Sequence, residues 1–97
     1  MANIKFQNGD IRENGALLGK IRNDEIRDKM GALLGKTRND EIHDRMGALI
    51  GKVKDGYVYS KMGARMGRVN DYMIADMQHE KDVNIVACYH FLVKKFL

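Results

Sequence analysis

Proline is absent from this chain, cysteine occurs once, at Cys88, and no apolar run reaches the roughly 18 residues of a helical membrane span. Each shortage closes a class of protein. A lone cysteine excludes an internal disulfide framework. The short apolar runs exclude a transmembrane helix. Met1 to Asp10 is polar and has no small-residue cleavage site, so no secretory signal is visible, and a leader removed ahead of Met1 stays open. With proline missing, ten glycines carry the punctuation, and eight of them recur at fixed places, which excludes a flexible linker. What is present is one domain over residues 1–97, with 44% hydrophobic and 31% charged residues. The net charge of +4 permits contact with nucleic acid, an anionic glycan or a membrane surface and requires none of them.

The recurring glycines belong to Gly-Ala-Leu-Leu-Gly-Lys, at Gly15 to Lys20 and Gly31 to Lys36, with Ile50 as a variant in Gly47 to Lys52 and a degraded copy from Gly63 to Arg68. The period is 16 residues without insertion, which implies one supersecondary unit copied in space. Between copies stand Asn8-Gly9, Asn23-Asp24, Asn39-Asp40, Asp55-Gly56 and Asp71-Tyr72. Such pairs suit two-residue hairpin turns, because Gly, Asn and Asp tolerate positive φ. A turn at each would pair Phe6 with Ile11, Ile21 with Ile26, Thr37 with Ile42, Val53 with Val58 and Val69 with Ile74, every pair apolar except for Thr37. Helices are disfavoured here, since glycines and turn pairs would cut any helix to under about three turns.

These features predict an all-β fold: five hairpin units at about 4–14, 15–30, 31–46, 47–62 and 63–77, arranged radially like a small propeller. Gly15, Gly31, Gly47 and Gly63 end the loops between hairpins. Gly19, Gly35, Gly51 and Gly67 fall inside strands, where glycine marks a bulge or a close approach, here at the array's axis. The segment 83–97 is the most apolar of the chain. Alternation puts Ile85, Ala87, Tyr89, Phe91 and Val93 on one face, while helical spacing fits Ile85, Tyr89, Leu92 and Phe96 about as well. β-Branched and aromatic enrichment tips the expectation to a closing strand.

The pattern apolar-x-(Asn/Asp)-x-x-apolar-x-Asp-x-x-Gly-x-x-(Leu/Ile)-Gly runs from Ile21 to Gly35. It returns in Thr37 to Gly51 with Thr37 for the first apolar residue, and in Val53 to Gly67 with Ser60 for Asp and Met66 for Leu. Together with Ala87-Cys88-Tyr89-His90-Phe91, it resembles the five-fold β-flower repeat proteins of bacteria over residues 4 to 93. The resemblance implies radially arranged hairpins, no assigned activity, cofactor or catalytic residue, and members of which many look exported. Met stands before the loop glycine where that family commonly has Asn, and Lys94-Lys95 interrupt the last aromatic run.

Three constellations carry candidate chemistry. Lys20, Lys36, Lys52 and Arg68 recur at one position and Arg22, Arg38 and Lys54 at another, so a radial fold would make them a basic ring for a polyanion. Glu25, Glu41, Asp28 and Asp44 balance them, and no aromatic residue interleaves in sequence, which favours a solvated face. Met30, Met46 and Met62 mark three loop corners, either as filler tucked beneath each hairpin, the reading favoured by the sequence, or as an exposed rim for a partner. Cys88 and His90 would share a face on a strand, but no third ligand or activating base is recognisable, so no metal, cofactor or catalytic site is expected. Asp28, Asp44 and Asp76 occupy one register with Ser60 in the gap, which fits a turn role. The sequence thus favours a non-enzymatic structural or interaction module. Its partner would be a protein, an anionic polymer or a second copy of the chain.

Overall fold

Period-2 burial with a turn every eight residues or so gives antiparallel strands, and sequential strands pair as neighbours. The computed structural model describes residues 4–97 and shows nine strands in one sheet, ordered β1 to β9 along the chain. They are β1 (Ile4–Gln7), β2 (Asp10–Glu13), β3 (Ala16–Arg22), β4 (Glu25–Asp28), β5 (Leu33–Arg38), β6 (Glu41–Asp44), β7 (Leu49–Lys54), β8 (Tyr57–Ser60) and β9 (Arg65–Arg68). In the first four hairpins the register is the expected one: Phe6 opposes Ile11, Ile21 opposes Ile26, Thr37 opposes Ile42 and Val53 opposes Val58. The turns hold because Asn8, Asn23, Asn39 and Asp55 accept φ of 52° to 55°. Each turn also ties to the next hairpin through the backbone: Ile21 N donates to Gly9 O, Thr37 N to Asp24 O, Val53 N to Asp40 O and Val69 N to Gly56 O, at 2.8–3.0 Å.

The fifth unit departs from expectation. After β9 the chain makes a 3₁₀ turn over Val69–Tyr72 in place of a hairpin turn at Asp71-Tyr72. Tyrosine resists the left-handed conformation that such a hairpin turn demands. Tyr72 instead turns inward, its hydroxyl donating to Met66 O at 2.7 Å and its ring stacking on Phe96 at 4.1 Å. Among the described residues a single parallel bridge, Lys5 with Ala75, brings this unit beside β1, with Phe6 N donating to Ala75 O. The sheet therefore curls without closing by strand pairing.

The larger correction concerns the C-terminal segment. It is a helix, α1 (Asp82–Cys88), continued by a π-helical turn over Tyr89–Val93 in which Lys94 N donates to Tyr89 O at 2.9 Å. Val83 through Cys88 are all buried. A helix buried on every side, with Asn84 its one polar buried residue, belongs in the middle of a protein. A strand here would leave its backbone N–H and C=O groups buried among inward side chains, whereas a helix satisfies its own. The helix fills the concave side of the sheet and packs on Ile11, Ile21, Ile26, Ile42, Val53, Val58, Val69 and Ile74. The one polar member of that inner layer, Thr37, donates its hydroxyl to Asn84 Oδ1 on α1, and Asn84 Nδ2 donates to Asp24 Oδ1 at 3.1 Å. The exception in the apolar pattern is thus a hydrogen-bonded anchor for the helix.

The mid-strand glycines all border a bulge, and three of them, Gly19, Gly35 and Gly51, lie against the C-terminal segment and not at an axis of strands. Each of the four directly follows the one residue that an irregular pairing leaves unopposed, Leu18, Leu34, Ile50 or Met66. The crowding comes from the helix and the adjacent strand. A Cβ at Gly35 would collide with the Phe91 ring and the His43 carbonyl, and one at Gly51 would lie 2.7 Å from Tyr59 O and 3.1 Å from Leu97 Cδ1.

Two outcomes follow. Gly35→Val should lower unfolding free energy by about 1–3 kcal/mol or more in urea titration, since overpacking of this kind costs that much; unchanged stability would contradict this crowding. Thr37→Val should cost about 1–3 kcal/mol by stranding Asn84 Oδ1. Pairing it with Asn84→Leu should recover part of that loss, and no recovery would contradict the anchor.

Candidate functional site

Because the inner face is occupied by α1, any surface for a partner lies on the outer face or at the two rims. The tight turns form one rim and the longer loops the other. On the outer face Lys20, Lys36, Lys52 and Arg68 are exposed, as are Arg22, Arg38 and Lys54. The register sets Lys20 opposite Asp10, Lys36 opposite Glu25 and Lys52 opposite Glu41. The repeated cations are therefore spread around the convex side, three of them beside a carboxylate, and do not converge. The fourth, Arg68, faces Tyr57. Pairing also places Tyr59 between Lys52 and Arg65, so aromatics do interleave with these cations, across strands and out of sequence order. That corrects the sequence expectation, which considered neighbours along the chain only.

The loop rim is built from a repeated side-chain device. Asp28 Oδ1 accepts the N–H groups of Met30 and Ala32 at 2.8 and 2.9 Å, and Asp44 Oδ1 those of Met46 and Ala48 at 2.9 Å. Ser60 Oγ makes the same two contacts more loosely, at 3.3 and 3.2 Å. These are Asx-type turns, which give the loop backbone its partners locally. Arg27 braces the loop from the other side, donating to Gly31 O and to Glu25 Oε1 at 3.0 Å each. Arg12 and His43 stand at the same place, with Gly15 O and Asp10, or Gly47 O and Glu41, as their partners. This brace was missed in the sequence, although the acid–x–base spacing at Asp10/Arg12, Glu25/Arg27 and Glu41/His43 marks it.

With the loop backbone satisfied in this way, the methionine side chains are not needed inside. Met30, Met46 and Met62 are 83%, 83% and 86% exposed, which overturns the expectation of filler beneath each hairpin. Beside Met46 lies an open groove of about 550 Å³ whose floor includes Leu34, Ile50, Phe91 and Leu97.

Cys88 and His90 lie on the helical segment, so they no longer share a strand face. Cys88 is buried, and burial, then the Glu80 carboxylate, pushes its thiol up to about 12, which keeps it protonated and a poor nucleophile. His90 is also buried, and its Nδ1 accepts the N–H groups of Phe96 and Leu97 at 3.0 and 3.1 Å. It anchors the chain end over the helix. Among the described residues, no three His, Cys, Asp or Glu side chains are grouped as a metal site requires. No described helix is long and apolar enough to cross a membrane.

Burial first, and the Lys95 ammonium second, hold His90 below its ordinary pKa. The unfolded chain therefore takes up a proton at a pH where the folded one does not, and stability falls as pH drops below about 6.5. Unfolding titrations between pH 7.5 and 5.5 should show this fall in the wild type and a smaller one in His90→Asn. Parallel curves for the two proteins would contradict it.

A sequence model of the 5-fold beta-flower protein family matches residues 5–86, short of the 4 to 93 over which the resemblance was drawn. Searches of curated proteins and of solved structures gave no match. The match spans the nine strands and the first part of α1, the elements that make the curled sheet and its filling. The chain belongs to the 5-fold beta-flower protein family.

Proposed function

We propose that this small β-flower module is a non-enzymatic interaction domain that offers its loop rim to a protein partner. The observation that carries this reading is the outward display of Met30, Met46 and Met62, three large apolar side chains, the first two on loops held by an Asp acceptor and an Arg or His brace and the third on a loop held by Ser60. An unbranched thioether adapts to irregular partner surfaces, and loops with satisfied backbones present it at low ordering cost. The groove beside Met46, floored by Leu34, Ile50 and Phe91, extends the same rim inward. The ring of repeated cations is a weaker basis for binding, because its members are spread around the convex side and three of the four stand opposite a carboxylate.

Replacing Met30, Met46 and Met62 together by glutamine should leave the unfolding midpoint nearly unchanged, since exposed substitutions stay within about 0.5 kcal/mol each. The same variant should lose the cross-link that a photoreactive residue in place of Arg45 forms with a partner or a second copy at native expression. A large stability loss would return the methionines to the core, and an undiminished cross-link would end the reading.

A further inference from the structure

The outer face of the last hairpin breaks the charge pattern that the others keep. Where β4 carries Glu25 and Arg27 and β6 carries Glu41 and His43, β8 carries Tyr57 and Tyr59. The register then builds two rows across β7, β8 and β9: Lys54, Tyr57 and Arg68 in one, Lys52, Tyr59 and Arg65 in the other. Both tyrosines are half-buried and all four cations exposed, while Val53 and Val58 between them point to the core. The Arg65 and Arg68 guanidinium carbons lie 4.8 and 5.8 Å from the Tyr57 ring centroid. None of the four cations is in an ion pair among the described residues. The acidic groups nearby are Glu41, opposite Lys52, Asp55 in the turn, and Asp71, whose Oδ2 accepts the backbone N–H of Arg68.

We propose that this face binds single-stranded nucleic acid, its phosphates on Lys52, Lys54, Arg65 and Arg68 and its bases against Tyr57 and Tyr59. Two residues apart on one strand, the tyrosines stand about 6.8 Å apart at ~3.4 Å per residue. An extended single strand can set successive bases at a similar spacing. Every base offers a π-face, so such a platform is tolerant of sequence, and cations alongside track the backbone. A sulfated glycan would use the cations without the rings. Substitution of Glu/Arg-type pairs by tyrosines thus converts one side of a neutralised sheet into a basic, aromatic strip. This surface is separate from the methionine rim and stands or falls independently of it.

The test is fluorescence anisotropy with a labelled twelve-nucleotide oligothymidylate and purified full-length protein at low and moderate salt. Wild type should bind at low salt and weaken as salt rises. Tyr57→Glu with Tyr59→Arg, which restores the pattern of β4 and so favours folding, should weaken binding at least tenfold. Lys20→Gln with Lys36→Gln, on the other hairpins, should change it less than twofold. No binding at about 50 mM salt would overturn the proposal. So would loss in the lysine variant with retention in the tyrosine variant, or displacement by a heparin fragment with equal affinity for both proteins.

Discussion

Everything in this fold depends on a helix that can stand alone inside a curled sheet. The inner layer of isoleucines and valines is concave and needs a filling that makes no demand on the sheet for hydrogen bonds. α1 meets that demand because its backbone is internally paired and its residues Val83 to Cys88 are buried on every side, with Asn84 the one polar side chain among them. The buried polar link between the layers, Thr37 to Asn84 to Asp24, fixes where along the axis the helix sits. Lys81, 3.6 Å from Asp24, marks the entry of that helix at the tight-turn rim. At the other end Leu92, Phe91 and Leu97 occupy the space that Gly19, Gly35 and Gly51 leave. The glycines and the helix are thus one feature seen from two sides.

A repeat of this kind distributes its stability over local devices. Each tight turn uses Asn or Asp at positive φ, three loops use an Asp or Ser acceptor, and most hairpins use an Arg or His brace. None is strong alone, since exposed ion pairs and turn contacts are each worth little. Their effect is consistency: every local preference points to the same hairpin, which is what specifies one register against its neighbours. The units at the margins relax the pattern. The first has a shorter connection through Asn14-Gly15, and the fifth replaces its hairpin with a 3₁₀ turn and a single bridge to β1. Both lie where the sheet stops, so neither must mate on two sides.

With the concave side occupied, binding is left to surfaces that the repeat can vary without disturbing its core. Outer-face positions face water, and their exchange costs little as long as the alternation is kept. That freedom is visible in β8, where tyrosines replace the acid–x–base pair of β4 and β6. It is visible also at the loop corners, where methionine is displayed because an aspartate carboxylate has already satisfied the loop backbone.

The repeat, four of the five turn sites, the register of their hairpins and the buried isoleucine layer were legible in the sequence, because a tight turn is a local event whose chemistry is set by two residues. The pairing of Ile21 with Ile26 follows from Asn23-Asp24 alone. Three things were decided only by the tertiary structure. The segment from Val83 had no distinguishing period, being apolar throughout, and its helical state followed from the absence of any strand to pair with inside the sheet. The fate of Tyr72 was settled by Phe96, 24 positions away, which holds its ring. The direction of Met30, Met46 and Met62, and the meeting of Tyr57 with Arg65 and Arg68, depend on which neighbours the loops and strands bring together in space. Local turn energies travel with the sequence, whereas burial and cross-strand company exist only once the sheet has curled around its helix.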